Sequence, residues 1–256
     1  MAQSLGISEP EKETPMKIED SVALVTGSNR GIGRALVAAL VEAGARRVYA
    51  AARNPASLAS LVDAGAGRVV PVTLDVTSKS DVSELPAVCK DVNLLINNAG
   101  SLSAYGLLES AEADLAREFA TNFYGPLAVT KAMLPTLERA APAAIVNLLT
   151  VVSVASMPAL GGYSATKAAA FSMTQALRYE LAKKQIAVHA VFPGPVDTDM
   201  AKSITLPKTS PDDVARAIVE AVARGEEDIL PDPMSRQVVG AWLKDPKAVE
   251  RQFGAM

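Results

Sequence analysis

Short apolar runs alternate along this chain with longer stretches of helical period, and no other feature limits its fold so tightly. The runs fall at residues 22–26, 47–52, 69–74, 93–97, 143–149 and 186–191, with a weaker one at 228–230 stopped by Pro231. Several are apolar at consecutive positions rather than at every second one. A strand with one covered face alternates, whereas a strand covered on both faces has no need to. Repeated βα units of this kind specify a parallel sheet with helices around it. Helical patterns fill the intervals most clearly at 31–43, 111–137 and 163–183. No internal repeat or low-complexity linker interrupts them.

At 256 residues the chain has the length of one large α/β unit. Residues 18–256 are therefore expected to form a single domain, with 1–17 as a flexible polar tail. Hydrophobic residues make up 49% and charged residues 21%, which supports a sizeable core. A net charge of −3 offers nucleic acid no general attraction. The tail lacks the basic start and apolar centre of an export signal, and no apolar run reaches the ~18–20 residues a bilayer requires. The single cysteine, Cys89, cannot form an intrachain disulfide, which suits a reducing compartment. A cytoplasmic location is expected, with neither nucleic acid nor membrane as partner.

Two segments carry chemistry. The first, Thr26-Gly-Ser-Asn-Arg-Gly-Ile-Gly33, lies between the first apolar run and the first helical stretch. Glycines there permit a tight bend and close approach of backbone to a pyrophosphate, while the helix start adds unpaired amides and a positive dipole end. The second is Tyr163-Ser-Ala-Thr-Lys167. Residues four apart share one helix face, so a phenol and an ammonium can address one ligand. A phenol ordinarily titrates near ~10, and a neighbouring cation brings it toward the working range of an acid–base group. Each segment alone has an ordinary explanation, as a βα turn or as a solvated Tyr/Lys pair.

Together with further motifs they resemble the classical short-chain dehydrogenase/reductase family, over approximately residues 21–200. The T-G-x-x-x-G-x-G spacing matches that family's fingerprint, so the resemblance assigns Gly27, Asn29, Arg30, Gly31, Ile32 and Gly33 to a dinucleotide cradle. It assigns Asp75 and Val76, after the third strand, to the adenine, and Asn98, Ala99 and Gly100 of the N-N-A-G motif to the cofactor's flank. Pro193, Gly194, Val196 and Thr198, in P-G-x-V-x-T, correspond to the loop that orients the nicotinamide. Tyr163 and Lys167 take the family's catalytic positions, Lys167 also binding the nicotinamide ribose, and Asn122 in N-x-x-G takes that of a residue at a helix irregularity holding a relay water. The usual catalytic serine, thirteen residues before the tyrosine, is replaced by Thr150, with Ser153 a competing hydroxyl. Threonine keeps a hydroxyl donor but adds a methyl group that restricts χ1.

The strand at 47–52 ends without a carboxylate and is followed by Arg53. An acid there would accept from a ribose 2′-hydroxyl, whereas arginines suit a 2′-phosphate. Arg30 and Arg53 fall where NADP-preferring members carry basic residues, so NADP(H) is expected over NAD(H). The resemblance implies a doubly wound Rossmann-type domain with a six- or seven-stranded, mostly parallel sheet. It also implies reduction of a ketone or aldehyde, or oxidation of the alcohol, by hydride transfer. A cofactor-binding regulator of low turnover and a lyase or epimerase on the same fold remain alternatives.

His189, the sole histidine, sits in an apolar run and reads as structural, and no metal cluster is apparent. The segments expected to line the substrate, 101–108, 151–162 and 200–206, are mostly apolar, with Lys202 the one obvious cation, which favours a neutral carbonyl compound. Weak periodicity from 200 to 211 suggests a lid. The long helices carry apolar residues around much of their girth, which suggests burial beyond one monomer, and the resemblance, whose members commonly pair these helices between subunits, implies a homodimer or homotetramer.

Overall fold

A computed structural model describes residues 16–103 and 106–256. Its strands are β1 (Val22–Thr26), β2 (Arg47–Ala52), β3 (Val69–Thr73), β4 (Leu94–Asn97), β5 (Ala143–Leu148), β6 (Ile186–Val191) and β7 (Asp228–Ile229). They form one parallel sheet in the order β3-β2-β1-β4-β5-β6-β7. Every residue of β1 and of β5 is buried, as consecutive apolar runs require.

Successive side chains of a strand point to opposite faces. Ala23, Val25, Val48 and Val146 belong to one core cluster, packed with α1 (Gly31–Glu42) and α7 (Pro211–Ala223). Val22, Leu24, Leu95 and Ile145 belong to the other, with α3 (Lys79–Val88), α5 (Gly125–Arg139) and α6 (Gly161–Ala182). β3 is an edge strand, which accommodates Pro71 because an edge residue need not donate to a second neighbour.

Two sequence expectations are corrected. The stretch 111–137 is not one continuous α-helix. It comprises α4 (Glu112–Phe119), a π-helical turn (Ala120–Tyr124) and then α5, with Pro126 in the first turn of α5. The expected tail loses its last two residues: Met16 is buried with Ile18 in the first core cluster, because its thioether side chain has apolar surface to cover. The remaining tail residues, 1–15, lie outside the described residues. Near the end of the expected lid, Thr209 donates to Pro195 O and its carbonyl accepts from Asp197 N.

Beyond β7 lie two helices that periodicity did not reveal, α8 (Pro233–Trp242) and α9 (Pro246–Gly254). Each begins with an Asp cap followed by proline in the first turn, at Asp232-Pro233 and Asp245-Pro246. That pairing is a start signal available in the sequence.

A buried polar chain joins the sheet to the helices below the cleft. Asn97 Nδ2 donates to Asn147 Oδ1 (2.9 Å) and Thr130 Oγ1 (3.2 Å), and Asn147 Nδ2 donates to Thr174 Oγ1 (3.0 Å). Removing the middle member strands buried partners, which costs about 1–3 kcal/mol each. Asn147→Ala should therefore lower unfolding stability by about 2–4 kcal/mol in urea titrations. A loss below 0.5 kcal/mol, taken as roughly the size of an ordinary surface effect, would show that the chain contributes little.

Candidate active site

Strand order reverses at the β1/β4 boundary, where connections leave toward opposite sides and a crevice opens at the carboxyl ends. Thr26 closes its floor. Its Oγ1 accepts from Asn98 N and Ala99 N, both at 3.0 Å, while Asn98 Nδ2 donates to Thr26 O (2.8 Å) and Gly27 O (3.1 Å). The Asn98 side chain is thus committed to bracing the glycine turn.

The turn tolerates no side chains at its core. A Cβ on Gly27 would lie 2.9 Å from Ala99 Cα, and one on Gly33 would lie 2.2 Å from Gly27 O. Gly27 also has φ +67°, where a Cβ is strained. The helices α3, α7, α8 and α9 all have side-chain N-caps. α1 follows Arg30, which supplies none, and, unlike α4, which also lacks a side-chain cap, has no acid in its first turn. Its leading amides are left for an anion.

Around this turn runs a cleft of about 900 Å³. Its lining includes Asn29, Arg30, Gly31, Ile32, Arg53, Asp75, Val76, Asn98, Ala99 and Gly100 toward one end. Thr150, Tyr163, Lys167, Pro193, Gly194, Val196 and Thr198 line it toward the other. The residues expected to bind cofactor therefore converge on one space. Asp75 Oδ1 accepts from Thr77 N (2.9 Å) and Thr77 Oγ1 (2.7 Å). Arg53 is exposed, and Arg30 is loosely paired with Asp199 at 3.7 Å. A trough without side chains, free helix amides and two arginines at one end fit a dinucleotide's anionic groups.

At the far end, Lys167 is buried and donates from Nζ to Leu148 O at 2.7 Å, with Nζ 5.8 Å from the Tyr163 ring centroid. Asn122 stands in the π-turn behind the wall. Its Nδ2 donates to Ser101 O (2.9 Å) and Thr166 Oγ1 (3.0 Å), and its Oδ1 accepts from Ser101 N (2.9 Å). Thr166 Oγ1 in turn donates to Tyr163 O (2.7 Å).

The competing hydroxyls separate clearly. Thr150 lines the cleft, whereas Ser153 lines a different hollow and its Oγ accepts from Thr150 N at 3.2 Å. Ser153 is a brace for the turn that presents Thr150.

Burial sets the electrostatics. It lowers Lys167 to about 8 and raises the Tyr163 phenol well above its usual range, with the Glu118 carboxylate adding to the rise. Burial and Glu118 thus move the phenol away from neutrality, opposite to the direction that the sequence reading expected from Lys167.

Several residues escaped the sequence reading. Glu118 is 2% exposed, accepts from Ser103 N, and its Oε2 would lie 3.0 Å from a Cβ on Gly162. Lys202 points to solvent beside Asp199 (3.3 Å) and is not part of the cleft lining, whereas Arg117, which donates to Asp114, joins Arg30, Arg53 and Lys167 there. Met157, Leu160, Ile204 and Met234 supply apolar wall. Of the segment 101–108, Ser101 and Leu102 face the cleft, Leu107 and Leu108 face the second hollow, and Ala104 and Tyr105 lie outside the described residues. His189 sits inside β6 with Nδ1 2.6 Å from Glu226 O, away from the cleft lining. No group of three or more His, Cys, Asp or Glu converges among the described residues, and none of their helices is long and apolar enough to cross a membrane.

Fold and cleft together define a dinucleotide-binding α/β protein. The family described as short chain dehydrogenase matches residues 21–209. An uncharacterised oxidoreductase of Staphylococcus aureus is 31% identical over 217 residues, covering 81% of this chain and 93% of the relative. A short chain dehydrogenase from Burkholderia cenocepacia, solved in complex with NADP, is 34% identical with a TM-score of 0.87, covering 93% of this chain and 99% of that one. A Burkholderia phymatum short chain dehydrogenase/reductase, solved with NAD, is 25% identical with a TM-score of 0.82, covering 91% and 96%. The chain belongs to the short-chain dehydrogenase/reductase family of oxidoreductases.

The depressed Lys167 value has a measurable consequence. Between pH 8 and the ordinary lysine value of 10.5, the unfolded chain holds this proton and the folded chain does not. Stability contributed by this group therefore rises with pH across that window. The stability difference between the cofactor-free protein and Lys167→Met should grow in the protein's favour by about 1–3 kcal/mol from pH 7.5 to 10, read from urea midpoints. A pH-independent difference would remove the burial argument.

Proposed function

We propose that this protein is an NADP(H)-dependent oxidoreductase that interconverts a ketone or aldehyde with its alcohol. The observation that carries this reading is the placement of Thr150, Tyr163 and Lys167 in the same cleft as the glycine turn. When bound, NADPH supplies the hydride. Tyr163 delivers the proton to the carbonyl oxygen, and its elevated pKa keeps that proton in place across the neutral range. The Thr150 hydroxyl donates a hydrogen bond to the same oxygen and stabilises the charge developing there. The Lys167 ammonium binds the ribose hydroxyls and supports the phenol electrostatically, while Asn122 holds the relay between Lys167 and solvent.

Gly27, Asn29, Gly31, Ile32 and Gly33 cradle the pyrophosphate, Asp75 and Val76 bound the adenine, and Ala99 and Gly100 flank the cofactor. Pro193, Gly194, Val196 and Thr198 hold the nicotinamide end. Arg30 and Arg53 take the 2′-phosphate. The absence of a carboxylate at the end of β2 supports that choice, as does the NADP bound to the Burkholderia cenocepacia relative. The apolar wall of Val151, Met157, Leu160 and Ile204 favours a neutral, moderately hydrophobic carbonyl compound. Exposed Tyr124 (61%) and Tyr179 (74%) on the long helices support a homodimer or homotetramer.

A screen of NADPH oxidation across ketones, aldehydes and diketones tests the activity. With a substrate in hand, Tyr163→Phe should lower kcat by at least about a hundredfold, the scale of positioned acid catalysis, while leaving the Kd for NADPH within about threefold. Alcohol oxidation, which needs the phenolate, should climb about tenfold per pH unit from pH 6 to 8 while reduction stays nearly flat. Oxidation that is level over that range would exclude Tyr163 as the base.

Cofactor choice is tested separately. kcat/KM should favour NADPH over NADH by at least about tenfold, and Arg53→Ala should erase most of that preference by removing a charge-assisted contact. A native preference for NADH would overturn the assignment.

A further inference from the structure

The polar groups of the loop Pro193–Thr198 are pinned from several sides. Pro193 O accepts from Val151 N at 3.1 Å, and Pro195 O accepts from Thr209 N at 3.0 Å. Gly194 N donates to Asp232 Oδ2 at 2.8 Å. Asp232 is 1% exposed and is not part of the cleft lining. Its other oxygen, Oδ1, accepts from Ser235 N at 2.8 Å and caps α8, while Ser235 Oγ accepts from Asp232 N at 3.1 Å.

A buried carboxylate is expensive unless every lone pair is used. Capping alone does not require one, because serine caps a helix about as well as aspartate; Ser210 does so at the start of α7. The second oxygen is what distinguishes Asp232, and it is spent on Gly194. The fit at Gly194 is also close, since a Cβ there would lie 3.0 Å from both Asp232 Oδ1 and Met234 Cβ. The same helical pair reaches the catalytic turn, with Val249 and Phe253 of α9 packed with Val151 and Val152.

We propose that Asp232 is a positioning residue, whose carboxylate clamps Gly194 to the start of α8 and so holds the nicotinamide loop in register with the turn that presents Thr150. The inference rests on the proposed function for its catalytic consequence, but the clamp itself does not depend on a bound cofactor.

Asp232→Ser separates the two duties of the carboxylate, because serine can cap α8 but is too short to reach Gly194 as well. Ser235→Ala is the companion variant, weakening the capping box while leaving the Gly194 contact in place. In the cofactor-free protein, Asp232→Ser should speed amide hydrogen exchange at Gly194 by at least about tenfold, with exchange in β5 unchanged and Ser235→Ala without effect at Gly194. With NADPH and a carbonyl substrate, Asp232→Ser should lower kcat at least about tenfold while the Kd for NADPH moves less than about threefold, the misplacement pattern expected for a group away from the reacting atoms. Ser235→Ala should keep kcat within about twofold.

Unchanged exchange at Gly194, or equal loss of kcat in both variants, would overturn the clamp. If Asp232→Ser does not fold, Asp232→Asn replaces it: the amide leaves one of the two N–H donors facing an NH₂ group, and the same exchange and kcat criteria decide. A native protein that turns over no NADPH would sink the proposed function instead, and the exchange result would still judge the clamp.

Discussion

The carboxyl ends of β1 and β4 part at Thr26, and the hydroxyl of that one residue holds the opening to a fixed width. By accepting from two successive amides of the N-N-A-G segment, it ties the end of β4 to the end of β1. Asn98 returns the tie by donating to the carbonyls of Thr26 and Gly27. This reciprocal knot satisfies backbone groups that the diverging strands would otherwise leave bare in a buried crevice. Gly27 is glycine partly because the knot leaves Ala99 Cα only 2.9 Å from where a Cβ would sit. The cradle, the free amides of α1 and the placement of Gly100 against Asn122 all follow from it.

At the other end of the cleft, desolvation governs the chemistry. Tyr163 and Lys167 sit where burial disfavours both charged forms, so the phenol rises and the ammonium falls. Glu118 deepens the asymmetry from α4, placing a carboxylate against Gly162. Burial therefore favours the protonated phenol at neutral pH. The hydroxyl partner is set by backbone geometry: Ser153 braces the turn through Thr150 N, which leaves the threonine hydroxyl at the cleft.

Much of this was legible in sequence because the signals are local. Strands covered on both faces advertise themselves as unbroken apolar runs, and their observed limits differ from the expected ones by at most a residue at either end. The cofactor residues are equally local, clustering at the ends of strands. What escaped depends on distant chain segments. Glu118 resembles any polar residue of an amphipathic helix, and its burial is created by the loop at Ser103. Asp232 reads as a helix cap, and only tertiary structure brings Gly194 to its second oxygen. Lys202 was expected at the cleft and lies outside it, while Arg117, from the distant α4, lines it, because tertiary packing decides which cation faces the cleft.

The π-turn at Ala120–Tyr124 separates the interests of folding from those of chemistry. A turn of this kind absorbs one surplus residue without swinging the following helix by the usual ~100°. Shortening the segment by a single residue would therefore leave α4 and α5 on nearly their present faces and return the ladder to regular spacing. What would vanish is the widened berth in which Asn122 reaches both Ser101 and Thr166. The surplus residue thus sets the position of one side chain rather than the path of the helix.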